Sequence, residues 1–426
     1  MIYVYTENIT NRLQYIVETL GHISGIHFNL VKNIDKFNDF NGAKINYTSK
    51  IIDNCLHINP VSLLFEKEIL KQDIKVEKVD FPIFFKTNGD YPFDIFAASF
   101  YIISRYEEYL PHKKDEHGRY LASNSIAYQH DFLKIPIINI WINDLLKRFP
   151  KLSIPKKEFK FIPTFDVDVA YYAFYTKGII RGSLSLAKNV LSLNAKELKL
   201  QLNILKKKVD DPYDTYEKIF EFNKKYNLNP IFFTHMGTYG KFDKNISCKS
   251  KRFKELIQNI SMHANIGIHP SYLSNKNIAL LKKELNRLQE LTNKTITKSR
   301  QHYLILSMPS TYRNLIKLGI SEDYSMGYSD EVGFRAGTCS PFQFYNLENE
   351  KKTSLIVYPF AYMDGTINEY HKYNFKEAEE IIIKLINEVK KVNGTFISIW
   401  HNSSFNETNQ WKGWDDFYDK TLNYVN

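Results

Sequence analysis

A chain of 426 residues exceeds the size of one ordinary hydrophobic core, so its length predicts two domains. Hydrophobic residues make up 43% of the chain and charged residues 24%, which is typical of a soluble globular protein. The net charge of +10 comes from lysines spread along predicted helices, and the sequence has no nucleic-acid-binding motif, so only weak attraction to nucleic acid, a membrane surface or an anionic glycan is expected.

The cysteines and the apolar stretches bear on where the protein works. Cys55, Cys248 and Cys339 form neither a CxxC pair nor an even disulfide framework, which fits a reducing compartment. The N-terminus lacks the features of a secretory signal, and the apolar stretches near 93–104 and 135–142 are too short to span a bilayer. We therefore expect a cytoplasmic protein without an integral membrane segment, with the inner face of the membrane as a further location.

Residues 1–150 are predicted to form a small α/β module of unknown role. The expected elements are strands at 2–5, 45–47 and 51–58, a helix at 9–20 and a buried helix that Asp94 opens and that runs to Arg105. No group of residues in this module suggests a reaction. The stretch 149–157, rich in proline and lysine, is predicted to be a linker.

Residues 158–426 alternate between predicted strands and helices, which is typical of parallel βα units in an open sheet or a barrel. Strands are expected at 159–165, 229–234, 265–268, 298–304, 320–324, 354–359 and 395–400, and helices at 213–226, 250–262, 276–291, 309–318 and 375–392. A basic, helix-prone insertion at 177–209 is expected either to cover the site as a lid or to pack as a helical hairpin.

Polar side chains follow four of these predicted strands. Asp166 and Asp168 end the first strand, and His269, His302 and His401 end three others. In a barrel these strand ends meet at one mouth. An Asp-x-Asp pair is also typical of a helix cap, and a lone strand-end histidine is more often structural. The coincidence of four such ends favours a metal site of histidine and carboxylate ligands, with a spare acid and base.

Five stretches of this second module come in the order of a known set of motifs. They are Thr164-Phe-Asp-Val-Asp168, Pro230-Ile-Phe-Phe233, Ile266-Gly-Ile-His269, Arg300-Gln-His-Tyr303 and Ile397-Ser-Ile-Trp-His401. Over about residues 158–405 the chain resembles the polysaccharide deacetylase family, the NodB-homology carbohydrate esterases, and specifically a bacterial subgroup with an extra N-terminal module. The resemblance implies an α/β protein with a deformed (β/α)7 barrel, preceded by the smaller α/β domain.

The resemblance also implies a function and roles for the strand-end residues. The chain would be a metal-dependent hydrolase that removes N-acetyl or other acyl groups from a sugar or polysaccharide intermediate. Asp166 would be the general base and His401 the general acid, while Arg300 would pair with Asp166 and orient it. Asp168 and His269 would bind one divalent metal, expected to be Zn²⁺ with Co²⁺ or Ni²⁺ as alternatives, and carbohydrate would be the partner.

The chain departs from the family pattern at Leu273, where the second motif normally has another histidine. Leucine cannot bind a metal, whereas His302 stands where the third motif usually has proline. We therefore predict that His302 is the replacement ligand, with His235 and Asn275 as alternatives. The rival hypothesis is a catalytically degenerate barrel that acts as a glycan-binding or assembly protein.

Four further residues are predicted to bind or orient the substrate: Tyr303, Trp400, Asp330 and Arg335. A backbone N–H near Tyr303 would stabilise the oxyanion. The glycine-containing loop 328–338 would present Arg335 to an acidic sugar or to a carboxylate in the site, and a structural Asp330–Arg335 pair is the alternative. Asp364 is expected in a turn at the same rim.

Overall fold

The computed structural model describes residues 1–172, 199–200, 202–204 and 208–425. The predicted insertion at 177–209 lies for the most part outside this described portion. Among the described helices, none combines the length and the apolar composition needed to cross a bilayer.

The N-terminal part contains a four-stranded parallel sheet in the order β2-β1-β3-β4, and helices pack against it. Its elements are β1 (Ile2–Tyr5), α1 (Asn11–Ser24), β2 (Phe28–Val31), α2 (Ile34–Asn38), β3 (Ala43–Asn46), β4 (Leu56–His57), the antiparallel pair β5 (Glu77–Lys78) and β6 (Pro82–Ile83), α3 (Ile95–Ile103), α4 (Ile126–Gln129) and α5 (Ile137–Lys147). Asp94 caps α3, as predicted, because its carboxylate accepts a hydrogen bond from the Ala97 N–H at 2.9 Å.

In the rest of the chain, the described residues contain a nine-stranded sheet in the order β12-β13-β11-β10-β9-β8-β7-β15-β14. Its strands are β7 (Lys160–Val167), β8 (Ile231–His235), β9 (Asn265–His269), β10 (Lys298–Ser299), β11 (Glu322–Asp323), β12 (Phe342–Asn346), β13 (Lys351–Val357), β14 (Tyr362–Met363) and β15 (Thr395–His401). Neighbouring strands run parallel except β12 and β13. The protein is therefore a mixed α/β structure dominated by a parallel sheet.

Helices connect most of these strands, as the alternating pattern predicts. Within the described residues they are α6 (Tyr216–Lys225), α7 (Lys251–His263), α8 (Ile278–Thr292), α9 (Ser310–Lys317) and α10 (Phe375–Lys391), and a further helix, α11 (Trp414–Val425), follows the last strand. Helix α10 shows why they form: Asn374 and Glu377 make a reciprocal capping box at its start. Its buried residues Ala378, Ile382, Leu385 and Val389 recur every three or four positions, so one apolar face covers the sheet.

The two ends of the parallel run lie close together along the chain. Strand β13 pairs with β11, strand β14 pairs with β15, and only residues 358–361 separate β13 from β14. A seven-stranded barrel remains a prediction, and this short connection supports it.

The N-terminal part packs closely on the rest of the protein. One continuous hydrophobic core includes residues from both sides of the linker. The Arg12 guanidinium is 2.6 Å from the Glu350 carboxylate, and the Tyr15 hydroxyl donates to the Gln343 carbonyl at 2.7 Å. The linker residues 153–159 form neither helix nor strand, although the Lys157 ammonium donates to the His22 carbonyl at 2.7 Å. The division into domains 1–150 and 158–426 remains a prediction.

Three predicted strands are much shorter than expected. The stretch 51–58 pairs only at Leu56–His57. The stretch 298–304 pairs with its neighbours only at Lys298–Ser299, and the stretch 320–324 only at Glu322–Asp323. After Ser299 the chain turns sharply, because Tyr303 and Leu304 both have left-handed backbone angles. The predicted strand at 298–304 is therefore corrected to a two-residue strand followed by a tight turn.

Candidate metal and catalytic site

The carboxyl ends of the central strands bring the predicted polar residues together. Register pairs Asp166 of β7 with His401 of β15, and His235 of β8 with His269 of β9. Asp168 follows β7 directly, and because the strands are parallel, these side chains share one edge of the sheet. Most of the polar side chains that the sequence placed at strand ends therefore meet in one place.

The ring of His269 is held in an orientation that suits a metal ligand. Its Nδ1 lies 2.6 Å from the Arg300 carbonyl oxygen, which can only accept, so Nδ1 carries the proton. In a neutral ring, Nε2 then offers a lone pair, and this atom lies 2.9 Å from Asp168 Oδ1. A backbone carbonyl that fixes the tautomer in this way is common behind metal-binding histidines.

Asp168 stands between two histidines. His302 Nε2 lies 3.4 Å from Asp168 Oδ2, while His269 faces Oδ1. Asp168 Oδ1 is buried, and among the described residues no donor makes a hydrogen bond to it. Burial alone would disfavour the ionised form, but His302 and His269 hold the pKa of the Asp168 carboxyl well below its ordinary value.

These three side chains fit a divalent metal ion. One ligand atom from each of Asp168, His269 and His302 lies within 4.8 Å of the others. Two imidazole nitrogens and one carboxylate oxygen form the ligand set of many catalytic zinc sites, which keep a further position open. Asp168 Oδ1 is buried and lies 2.9 Å from His269 Nε2, so two potential ligand atoms face each other here.

Asp166 lies beside this group and is paired with Arg300. The Arg300 guanidinium is fully buried; its Nη1 lies 3.2 Å from Asp166 Oδ1, and its Nε donates to the Tyr324 carbonyl at 3.0 Å. The other carboxylate oxygen, Oδ2, lies 3.9 Å from His269 Nε2. Arg300 thus fixes one oxygen of Asp166 and leaves the other facing the candidate metal ligands.

His401 stands on the far side of Asp168, and a carboxylate that the sequence did not assign holds it. Its Nδ1 lies 2.8 Å from Asp364 Oδ1, and its backbone N–H donates to Asp364 Oδ2 at 2.8 Å. Its Nε2 lies 3.6 Å from Asp168 Oδ2. Burial opposes the charged ring, but Asp364 outweighs it and raises the pKa of His401 to about 10.

A second group of candidate ligands shares His302. His302 Nδ1 lies 3.0 Å from Asp243 Oδ1, and His235 Nε2 lies 3.3 Å from the same oxygen. Burial and the neighbouring His302 lower the pKa of His235 to about 4, and burial opposes the charge on His302, yet Asp168 and Asp243 raise the pKa of His302 to about 9. His235 therefore approaches the site through Asp243.

Asn275, the other alternative ligand, is not positioned for that role. Its amide nitrogen donates to Gln301 Oε1 at 3.1 Å and to the Ile305 carbonyl at 2.7 Å. Leu273, at the place of the missing family histidine, is 64% exposed. Among the candidates for the third metal ligand, His302 is the one with a ring nitrogen close to the Asp168 carboxylate.

A pocket of about 400 Å³ opens over the site. The predicted residue Tyr303 lines it, and so do four aromatic residues to which no role was assigned from the sequence: Tyr213, Phe242, Tyr370 and Trp411. Arg119, from the N-terminal part, also lines the pocket. Nothing in the sequence indicated this contribution from the N-terminal part.

Three predicted substrate-binding side chains do not line the pocket. Trp400 is fully buried, and its indole donates to the Tyr362 hydroxyl at 3.1 Å. Arg335 is 2% exposed and lies 2.7 Å from the Glu108 carboxylate, so neither the role in substrate binding nor the Asp330–Arg335 pair is seen. The Asp330 carboxylate accepts from the Ala122 N–H at 3.3 Å. The predictions for Trp400 and Arg335 are wrong, because both side chains are part of the core.

Comparison with known proteins gives a partial match. A family model described as a family of unknown function (DUF7033) matches residues 2–153. No curated protein matches this chain.

The solved structures that resemble the chain include polysaccharide deacetylases at low identity. A protein described as a polysaccharide deacetylase from Mycobacterium smegmatis is 14% identical, with 64% of this chain and 86% of that chain covered and a TM-score of 0.40. The polysaccharide deacetylase Bc1974 from Bacillus cereus is 11% identical over 62% of this chain and 87% of that one, with a TM-score of 0.30. A 4-alpha-glucanotransferase from Thermococcus litoralis is 8% identical over 63% of this chain and 38% of that one, with a TM-score of 0.36.

Proposed function

We propose that this chain is a metal-dependent hydrolase that removes an N-acetyl or other acyl group from a sugar or polysaccharide intermediate. One observation carries the proposal: the cluster of Asp168, His269 and His302 lies beside a buried carboxylate, that of Asp166, and a partly buried histidine, His401. A ligand set, a base and an acid within one pocket are the parts that acyl hydrolysis requires.

Asp168, His269 and His302 would hold the ion, which we expect to be Zn²⁺, with Co²⁺ or Ni²⁺ as alternatives. When bound, such an ion polarises an amide carbonyl and lowers the pKa of water towards 7. The protein's part is to present the ligand atoms: the Arg300 carbonyl orients His269 at 2.6 Å, and Asp243 orients His302 at 3.0 Å.

Asp166 is proposed as the general base. Its Oδ1 is 3.2 Å from the Arg300 guanidinium, and its Oδ2 faces the ligand cluster. An ionised carboxylate at this place can take the proton of an attacking water. Because both groups are buried, the pair also keeps its geometry during the reaction.

His401 is proposed as the general acid. Asp364 holds the proton on Nδ1, so that Nε2 is the atom directed towards Asp168 and the pocket. The protonated ring can give this second proton to the leaving amine. Asp166 and His401 have different partners, Arg300 and Asp364, and this difference assigns one the role of base and the other the role of acid.

The substrate class rests on the resemblance of the motifs and on the lining of the pocket. Tyr303, Tyr370, Phe242 and Trp411 offer aromatic faces on which sugar rings pack. The seven-stranded barrel and the two domains belong to the same proposal. The short connection between β13 and β14 supports the barrel, and the alternation of strands and helices after residue 158 supports a second domain that begins there.

Acetate release tests the proposal. Wild-type protein loaded with Zn²⁺ should release acetate from N-acetylglucosamine oligomers, and Asp166→Asn should lower the rate by about 10²–10⁴-fold, the typical contribution of a general base. Asp73→Asn, which changes an exposed aspartate, is the control and should keep the wild-type rate. Binding of the oligomers without any release would favour the degenerate, glycan-binding alternative, and equal rates in Asp166→Asn and wild type would contradict the role of Asp166.

A further inference from the structure

The turn that carries His302 has an unusual backbone. Tyr303 and Leu304 follow His302 directly, and their φ angles are 58° and 54°. Residues with a side chain rarely adopt this left-handed region, and two in succession are rarer still, since the Cβ atom crowds the following carbonyl. Something must therefore hold the turn in this conformation.

Part of the support comes from the sheet side of the turn. The Gln301 N–H donates to Ser325 Oγ at 2.8 Å, and the Leu304 N–H donates to the Gln301 carbonyl at 2.9 Å. The second bond holds the peptide between Tyr303 and Leu304 by its N–H, while neither bond reaches the carbonyl of the same peptide, that of Tyr303.

The remaining support comes from the N-terminal part of the chain. Arg119 Nη1 donates to the Tyr303 carbonyl oxygen at 3.0 Å. Asp115 aims this guanidinium, because its Oδ2 lies 2.6 Å from Arg119 Nε. The His117 ring lies 4.8 Å from the Tyr303 ring, so the same loop also packs on the side chain. The arginine is about one-tenth exposed, which shields these bonds from water.

The bond from Arg119 selects between two orientations of one peptide plane. Tyr303 has a ψ of 9°, and rotation of the peptide that follows it would change this angle and the φ of Leu304 together. The rotation would take Leu304 out of the left-handed region, but it would leave Tyr303 with a positive φ and break the bond from the Leu304 N–H to the Gln301 carbonyl. It would also turn the Tyr303 carbonyl away from Arg119. As long as the arginine is bound, the strained orientation is favoured.

We propose that Arg119 is a positioning residue for His302, through which the N-terminal module braces the metal site of the second module. The inference rests on the proposed function, because it takes His302 as a metal ligand. Arg119 holds the turn immediately after His302, and Asp243 holds the His302 ring at 3.0 Å. The two contacts together fix the direction of Nε2 towards Asp168, and the N-terminal module thus gains a role in the chemistry of the pocket.

Hydrogen exchange of the metal-free protein tests the brace directly. In Arg119→Ala, the amides of residues 301–305 should exchange at least about tenfold faster than in wild type, because the turn opens more often. Arg287→Ala is the matched control: its guanidinium also donates to a backbone carbonyl, that of Met236 at 3.1 Å, but does not touch this turn. Wild-type exchange at 301–305 in Arg119→Ala would overturn the inference.

Metal affinity tests the consequence for the site. Arg119→Ala should weaken Zn²⁺ binding about 10- to 100-fold, the range seen when groups behind a metal ligand are removed, and the visible spectrum of the Co²⁺ form should change. Arg287→Ala should stay within about twofold of wild type, as expected for a residue that supports no ligand. If Arg119→Ala does not fold, Arg119→Lys replaces it, since lysine keeps the charge but cannot bind Asp115 and the Tyr303 carbonyl with a rigid fork.

The two readouts separate this inference from the proposed function. Faster exchange at 301–305 together with weaker metal binding supports both. Tight metal binding in Arg119→Ala overturns the role of Arg119 and leaves the metal site standing. A wild-type protein that binds no Zn²⁺ overturns the proposed function and, with it, the role of Arg119 in positioning a ligand.

Discussion

Glu108 joins the N-terminal part to the loop that contains Arg335, and its removal should cost a large share of the stability. One carboxylate oxygen accepts from Arg105 Nε at 2.8 Å and from Arg335 Nε at 2.9 Å, and the other accepts from Arg335 Nη2 at 2.7 Å. All three side chains are buried. Glu108→Gln would leave the buried Arg335 guanidinium without a countercharge and Arg105 with only Glu107, 3.8 Å away, and breaking a buried pair typically costs about 3–5 kcal/mol.

The lowered pKa of Glu108 gives a second, independent value for this stabilisation. Burial opposes ionisation, but Arg335 and Arg105 outweigh it and lower the pKa of Glu108 from 4.5 to about 2. This difference corresponds to about 3 kcal/mol. Because the pKa is lower in the folded state, the stabilisation is fully present above about pH 5 and is lost as the pH falls towards 2. The typical cost of breaking a buried ion pair and the pKa of Glu108 therefore predict similar losses of stability.

Urea unfolding at pH 7 and pH 3 measures the effect. Glu108→Gln should unfold with a free energy about 3–5 kcal/mol lower than wild type at pH 7, and the difference should shrink at pH 3. Glu348→Gln is the control, because the Arg313–Glu348 pair is exposed and should contribute less than about 1 kcal/mol. A loss no larger than that of the control would refute the reasoning and reopen a role for Arg335 outside the core.

Three further predictions concern the site and the linker. His302→Ala should weaken Zn²⁺ binding at least about tenfold with the fold retained, and Leu273→His combined with His302→Pro should recover part of it; unchanged affinity in His302→Ala would exclude the histidine as a ligand. The pKa of His401 is raised to about 10, so an NMR titration of the metal-free protein should show the ring losing its proton only near pH 10. Asp364→Asn should lower the midpoint of this titration to about 6.5 or below. Equal midpoints in the variant and the wild type would contradict the pairing of His401 with Asp364. Limited proteolysis should cut within 151–157, where most residues are exposed; resistance there with cleavage only inside 177–209 would indicate one compact unit.

The local sequence predicted the strand ends well, because an apolar run followed by a polar side chain is a local pattern. Asp166, Asp168, His269 and His401 lie where the runs end, within one or two residues of the observed strands. Because these strands pair in parallel, their carboxyl ends, and with them these side chains, lie at one edge of the sheet.

Partners from distant parts of the chain could not be predicted in this way. Asp364 is 37 positions from His401, and the sequence between them gives no sign of the pairing. Asp243 lies in a loop after β8, and Arg119 comes from the other side of the linker. Their contacts depend on packing between elements, which periodicity does not describe.

The error over Arg335 has a similar cause. Glycines on both sides favour an exposed loop, and an arginine in such a loop suggests a role in binding anions. In the structure the loop packs against the N-terminal part, where Glu108 supplies the countercharge. The turn at Tyr303 and Leu304 escaped prediction because neither residue is a glycine, the usual signal of a left-handed backbone.

Metal content tests the central claim most directly. Purified protein, stripped and reloaded with Zn²⁺, Co²⁺ or Ni²⁺, should hold about one ion per chain, as expected for a single site. Asp168→Ala and His269→Ala should each abolish this binding, while Asp73→Asn should retain it. A wild-type protein that holds no stoichiometric ion after loading with each of the three metals would contradict the metal-dependent hydrolase.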